Sequence, residues 1–312
     1  MKLVNIFVLL LFTICMTVDS QANVEAFFKK AENKTNIHKM PNIDFIYMIN
    51  LDERPEKFEM ATRDFHRYGI YPYRFSAVNG WKLSNDDLQQ LGVRLTQGAE
   101  KDLMATTYVM LDGEEQIVHG PMLDPTITYF SHCMARGAIG IVLSHLSVLQ
   151  DAYDSDYKTI WVMEDDVEVL SDPTEISELV EKLDQQVGEW DILFTDTDTK
   201  NTNGVHIPCR AIALRPNLYN PPLQFYFLKF NYVSSDFSQI GMRYGAYSMI
   251  VRRSGMKKIL DYFKAKNIFL PYDMDYWLSN TLKMYICNRD IVSTFPRALS
   301  DNGAPNYLNK SN

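Results

Sequence analysis

Three short apolar runs constrain this chain more than any other feature: IDFIYMINL at 43–51, KTIWVMED at 158–165 and WDILFTD at 190–196. Before positions 163 and 193 the apolar residues are near-continuous rather than alternating, the pattern of strands covered on both faces. The first run passes directly into DERPEKFEMATRDFHRYG, where Phe58, Ala61, Phe65 and Tyr68 recur at helical spacing up to Gly69. YPYRFSAVNG follows as a short strand ending in a glycine turn, and strand, helix, strand in that order is a βαβ unit. Further helices are expected at 137–155, at PTEISELVEKLDQQV behind a cap at Ser171 or Asp172, and at SGMKKILDYFKAK. RYGAYSMIV at 243–251 is expected as a fourth strand, and KMYICNRDIVSTF as the last ordered piece. The economical reading is one α/β domain, a Rossmann-like, mostly parallel central sheet flanked by helices.

The ends of the chain read differently. MKLVNIFVLLLFTICMTVDSQA carries one early lysine and then roughly fifteen apolar residues, short for a membrane span and fitting a signal peptide. Small residues before the end of 1–22 suit cleavage there; an uncleaved signal anchor is the alternative. On either reading the folded part is exported, to the outside, a periplasm or a secretory-pathway lumen, and the signal anchor is the only expected membrane contact. Residues 23–41 read as a linker or short helix, 42–300 as the domain with an insertion or lid at about 81–130, and 301–312 as a tail. Cys133, Cys209 and Cys287 lie far apart with no C-x-x-C pair, which argues against thiolate zinc and allows one disulfide without choosing its partners. The formal charge is 31 − 39 = −8, with no basic tract longer than a pair such as RR at 252–253 or KK at 257–258. That distribution excludes a nucleic-acid partner. No G-x-G-x-x-G follows the first strand, so a dinucleotide-dependent oxidoreductase is disfavoured.

The second apolar run ends in Glu164, Asp165 and Asp166. In an extended chain the outer two project together and Asp165 points away. The carboxyl end of a central strand is where α/β sheets bind ligands. Carboxylates placed there repel one another and are costly to desolvate, and a hard divalent cation, Mn2+ or Mg2+, relieves that repulsion with substrate phosphates and water completing its shell. The plainer alternative is a solvated turn capping the next helix. Asp196 and Asp198 in FTDTDTK repeat the spacing at another strand end, as a rival metal site or as turn residues. His145, one helix earlier, is either a packed, hydrogen-bonded histidine or a ligand. Gly137 and Gly140 admit close approach of backbone or phosphate at that helix's start.

INLDERPEKF, SAVNG, GAIGIVLSHLSVLQ, WVMEDDVEV and WDIL stand in an order and character that resembles glycosyltransferase family 25. That family includes lipopolysaccharide glycosyltransferases and collagen galactosyltransferase domains, and the resemblance covers roughly residues 43–290. It implies a GT-A fold, a UDP-sugar donor and inversion at the anomeric carbon. The family's acidic triplet falls on Glu164, Asp165 and Asp166, the outer pair as metal ligands. NLDERPEKF implies nucleotide contacts near Asn50, Leu51 and Arg54, although Arg54 also suits a surface pair with Glu56 or Glu59. AVNG replaces a more usual AVDG, so Ala77, Asn79 and Gly80 would meet the nucleoside without a charge. YGAYSMI departs from the family's GTxAYxI strand at Tyr244 and lacks its threonine. PYDMDYWL resembles a proline-x-aspartate element that falls on Asp273. Inversion needs a base to deprotonate the acceptor hydroxyl. Asp273 is the first choice and Asp275 the second, while Asp196 is a candidate for acceptor binding or catalysis. The resemblance also moves Ser144 and His145 toward a structural or donor-side role. The expected reaction moves galactose or glucose to a glycan, lipid-linked or protein acceptor. A metal-assisted hydrolase of sugar phosphates or glycosides would use the same acids with water as acceptor. An inactive secreted binding protein that retains the fold is the other alternative, and intact Glu164, Asp166 and Asp273 argue against it.

Overall fold

The computed structural model describes residues 24–95, 103–210, 212–216, 218, 227–296 and 300–302. The expected export signal at 1–22 lies outside them. In chain order the first half forms β1 (Phe45–Asn50), α1 (Pro55–His66), β2 (Tyr73–Ser76), α2 (Asn85–Leu91), β3 (Val93–Arg94), β4 (Met104–Leu111), β5 (Glu114–Pro121), β6 (Thr128–Ser131) and α3 (Arg136–Asp154). The second half forms β7 (Thr159–Glu164), β8 (Val167–Val169), α4 (Glu175–Val187), β9 (Ile192–Phe194), β10 (Phe230–Tyr232), β11 (Phe237–Ile240) and β12 (Ser248–Arg252). It closes with α5 (Arg253–Lys266), the single turn α6 (Tyr272–Asp275), β13 (Met284–Cys287) and β14 (Val292–Thr294).

The main sheet has eight strands in the order β10-β11-β13-β9-β12-β7-β1-β2. Alternate residues of its centre enter two separate cores. Phe45, Tyr47, Ile49, Ile160 and Val162 pack with Leu146 of α3 and Ile259 and Phe263 of α5. Ile46, Met48, Trp161 and Met163 pack on the other face with Phe65 of α1 and Leu179 and Val180 of α4. That double covering is why the runs are apolar at every position, since each large side chain fully buried stabilises by about 1.5–3 kcal/mol.

The expectation of a mostly parallel sheet is corrected. β1 runs parallel to β2 and β7, and β9 to β13, but β12 lies antiparallel between β7 and β9, and β10 and β11 are antiparallel too. Apolar runs report burial, not direction. Between β9 and β12 the described residues include the antiparallel pair β10 and β11. The strand expected at 243–251 begins only at Ser248, because Gly245 turns the chain with a φ of 77°. Residues 81–130, expected as an excursion with local helix, hold α2 and most of an antiparallel sheet ordered β3-β6-β4-β5. β8 and β14 form a separate antiparallel pair.

One close approach fixes the loop after β2 to α3. An added Cβ at Gly80 would lie 1.8 Å from the Arg136 carbonyl oxygen, and one at Gly140 would lie 2.5 Å from the Val78 carbonyl oxygen. Ser144, one turn on, accepts the Val78 N–H on its Oγ at 2.8 Å. Gly80→Ala is therefore expected to lose about 2–3 kcal/mol in urea unfolding, the scale of an overpacked core. Gly120→Ala, where nothing lies within 4 Å, should change stability by less than about 0.5 kcal/mol.

Candidate active site

Because β1, β2 and β7 are parallel, their carboxyl ends meet at one side of the sheet, with Ile49 opposite Glu164 and Asn50 opposite Ser76. Around them opens a cleft of about 680 Å³, including its mouth. The sequence-expected residues Asn50, Leu51, Ala77, Asn79, Gly80, His145, Glu164, Asp165 and Asp166 all line it. Asn50 braces this edge. Its Nδ2 donates to Asp165 Oδ2 at 2.6 Å and to the Arg54 carbonyl at 2.8 Å, and its Oδ1 accepts from Arg74 Nε at 2.6 Å. The Leu51 carbonyl accepts from Arg74 at 3.2 Å, and Ala77 N–H donates to the Asn50 carbonyl at 2.9 Å. Asn79 Oδ1 accepts from Trp81 N–H at 3.1 Å and caps a short 3-10 turn over 80–82. Gly140, expected to admit backbone or phosphate, admits backbone, and Gly137 likewise meets Asn302.

The three acids do not alternate. β7 stops at Glu164 and the chain turns, so Asp165, expected to point away, lines the same cleft as its neighbours. Glu164 Oε1 lies 2.9 Å from Nε2 of His145, a fully buried side chain stacked on Tyr272 at 4.3 Å between ring centroids. Burial holds the Asp165 carboxyl above its usual range despite Asn50 and Lys57 beside it. Asp166 is the least compensated. Its Oδ1 is buried with no hydrogen-bond partner, and burial, then Glu164 and Asp165, push its pKa up to about 7. Oxygen donors and an unpartnered carboxylate oxygen fit Mg2+ or Mn2+. Among the described residues no group of three or more His, Cys, Asp or Glu is placed to hold a metal. A cation here would thus take two protein carboxylates and complete its shell from phosphate and water.

A second pocket adjoins the first and shares Glu164 with it. Asp273 stands in its wall on the first turn of α6, accepting from Gly245 N–H at 2.7 Å. Burial and then the nearby Glu164 raise its pKa. The other two acids proposed for chemistry are not brought here. Asp275 is fully buried against Arg215 Nε at 2.9 Å, Tyr262 Oη at 2.8 Å and Leu270 N–H at 3.2 Å. Asp196 is fully buried and accepts from Arg243, from Tyr247 Oη at 2.6 Å and from Ser293 Oγ at 2.7 Å. Its lone pairs are committed, and Asp198 accepts from Thr199 N–H at 2.8 Å and lines a different pocket. Asp275 and Asp196 work as anchors for the buried guanidinium groups of Arg215 and Arg243.

Arg54 pairs with Glu56, as its plainer reading had it, and also with Asp301. Lys57 reaches Asp301 Oδ2 at 3.0 Å, and Trp81 Nε1 donates to the Asp301 carbonyl at 3.2 Å. Lys57, Trp81, Asp301 and Asn302 are cleft residues that sequence reasoning missed. Lys57 had a signal, three residues after Arg54 on the first turn of α1; Asp301 had none. Cys133, Cys209 and Cys287 are all free, so the disulfide allowed by the sequence is not formed among them. No helix of the described residues is long and apolar enough to cross a membrane.

Comparison with known proteins points to one family. The family model described as Glycosyltransferase family 25 (LPS biosynthesis protein) matches residues 43–276. A glycosyltransferase 25 family member of Drosophila melanogaster is 31% identical over 141 residues, 45% of this chain and 19% of that protein. Human procollagen galactosyltransferase 2 is 26% identical over 152 residues, 48% of this chain and 20% of its own length. Human inactive glycosyltransferase 25 family member 3 is 24% identical over the same length, 48% of this chain and 21% of that protein. The matches thus span about a fifth of these relatives.

Two outcomes follow from the acids. With a folded pKa of about 7 against an ordinary carboxylate value of 3.8, folded Asp166 binds more protons than unfolded Asp166 in that interval, so its contribution to stability falls as pH rises through it. In chelator, Asp166→Asn should raise the melting temperature at pH 8 by about 2–4 °C, the shift that roughly 1 kcal/mol makes in a large domain, and leave it unchanged at pH 4. Asp196→Ala strands the Arg243 guanidinium, and urea unfolding should show a loss of about 3–5 kcal/mol.

Proposed function

The chain belongs to glycosyltransferase family 25, and from that membership we propose that it is a metal-dependent, inverting hexosyltransferase of GT-A type. On this reading it moves galactose or glucose from a UDP-sugar to a hydroxyl of a glycan, a lipid-linked saccharide or a protein. The name of one relative, procollagen galactosyltransferase, supports galactose and a protein acceptor. One observation carries the reading: the mouth of β7 gathers three carboxylates in a cleft, and Asp166 Oδ1 is left there without a partner.

Leu51 and the Ala77–Gly80 loop wall the nucleoside, with the uncharged Asn79 offering an amide where the family more often has a carboxylate. Glu164 and Asp166 would hold Mg2+ or Mn2+, which supplies Lewis-acid stabilisation to the departing diphosphate when bound. His145 holds Glu164 from behind, and Asn50 holds Asp165. Asp273 takes the proton from the acceptor hydroxyl. Its raised pKa makes the ionised carboxylate a stronger base, and the Gly245 N–H fixes its orientation. Glu164 borders both pockets, so sugar transfer takes place across it. On the export reading of residues 1–22 the reaction belongs to a secretory lumen, a periplasm or the outside.

Relatives named as inactive match at comparable identity, so turnover itself is the test. UDP release from a panel of UDP-sugars is expected to need Mn2+ or Mg2+, to stop in EDTA, and to fall at least about 100-fold in Asp166→Ala. Release that survives both changes removes the metal reading. Asp273→Asn should lower kcat by about 100-fold or more while UDP binding stays within a few-fold. Equal loss of both would make Asp273 a binding residue.

A further inference from the structure

Ser300–Asn302 lies in the same cleft as the acidic triplet, and the chain supplies its own anion there. The Asp301 carboxylate is paired with both Arg54 and Lys57, and the three side chains are only 7%, 13% and 13% exposed. The strap is seated by two further contacts: the Trp81 indole N–H on the Asp301 carbonyl, and the Asn302 backbone against Gly137, where an added Cβ would come within 2.7 Å. Every one of these partners except Arg54 itself lines the cleft. Arg54 and Lys57 occupy the N-cap and first turn of α1, a twelve-residue helix whose positive dipole end favours an anion at the same point.

We propose that the Arg54–Lys57 pair is the diphosphate-binding fork of the donor site, and that Asp301 is its built-in occupant, exchanged for phosphate when the donor binds. The assignment rests on the nucleotide-sugar reading above. Charge is the reason for exchange rather than addition. Glu164, Asp165 and Asp166 already line the cleft, and Asp301 adds a fourth carboxylate while engaging both cations. A diphosphate entering with Asp301 in place would meet four carboxylates and two cations already paired. With Asp301 withdrawn, one negative charge leaves, and Lys57 together with Arg54, whose Nε keeps Glu56, is opened to the ligand. The strap thereby sets the apparent donor affinity: it keeps the cleft closed to weak anions and yields to one that engages both cations.

The test is calorimetric titration of the full chain with inorganic pyrophosphate and, separately, with UDP and Mn2+. Asp301→Asn should bind pyrophosphate roughly five- to tenfold more tightly than wild type, the scale of one ion pair, and Asp301→Glu should stay near wild type. Lys57→Ala in the Asp301→Asn background should cancel the gain. Should Asp301→Asn fail to fold, Trp81→Phe loosens the strap without touching the cations and should tighten pyrophosphate about two- to threefold. Unchanged or weaker pyrophosphate binding in the folded variants overturns the proposal and makes Asp301 a brace for the two cations. Tighter pyrophosphate binding with no UDP binding in any variant would keep the fork and its occupant but remove the nucleotide-sugar reading.

Discussion

Three carboxylates held at one strand end against their own repulsion set the terms for everything around them. The compensation is uneven. Glu164 has the imidazole of His145, Asp165 has the amide of Asn50, and Asp166 has a buried oxygen with nothing on it. A site built for stability alone would place a guanidinium there, as the protein does elsewhere, because an unmatched buried charge is costly. Leaving Asp166 short of a partner couples proton uptake to folding at a single side chain, and on the proposed metal-dependent reading a cation would join the same balance.

Geometry supports that charge from two sides of the sheet. The double covering of β1 and β7 fixes where the strands end, since one core holds α3 and α5 and the other α1 and α4. The approach of Gly80 and Gly140 then brings the β2 loop to within reach of Ser144, so helix α3 holds both the cleft-lining loop and, one residue later, the histidine behind Glu164. The serine–histidine pair therefore joins two walls of one cleft. Neither side chain need touch a substrate to matter.

Much of this was legible in the sequence where the signal is local. Continuous apolar runs marked β1, β7 and β9, period-3.6 patterns marked the four long helices, and the acids at the end of β7 marked the cleft. What failed depends on partners distant in sequence. The direction of β12 is seen only in its pairing with β7 and β9, not in its own residues. Alternation misplaced Asp165 because the strand ends one residue earlier than the rule needs. Asp196 and Asp275 look like reactive acids in sequence, since Arg243 lies 47 residues from the one and Arg215 lies 60 from the other. Asp301 pairs with Arg54 across 247 positions, a contact that no local pattern announces.

Burial alone does not separate the structural acids from those facing the cleft, because all of them are largely withdrawn from water. Partnering does. Asp196, Asp275 and Asp191 each touch an arginine or lysine at ion-pair distance, and each supports packing. Among the described residues Glu164, Asp166 and Asp273 have no lysine or arginine at that distance, although burial lifts the pKa of the two aspartates. A carboxylate with a fixed countercharge has nothing left to exchange, whereas one without it must draw on a proton, a cation or a substrate hydroxyl. Asp301 stands between the two groups. Its countercharges are real, but they belong to a fork at the edge of a ligand-sized space, so its pairing is the one most open to competition from another anion.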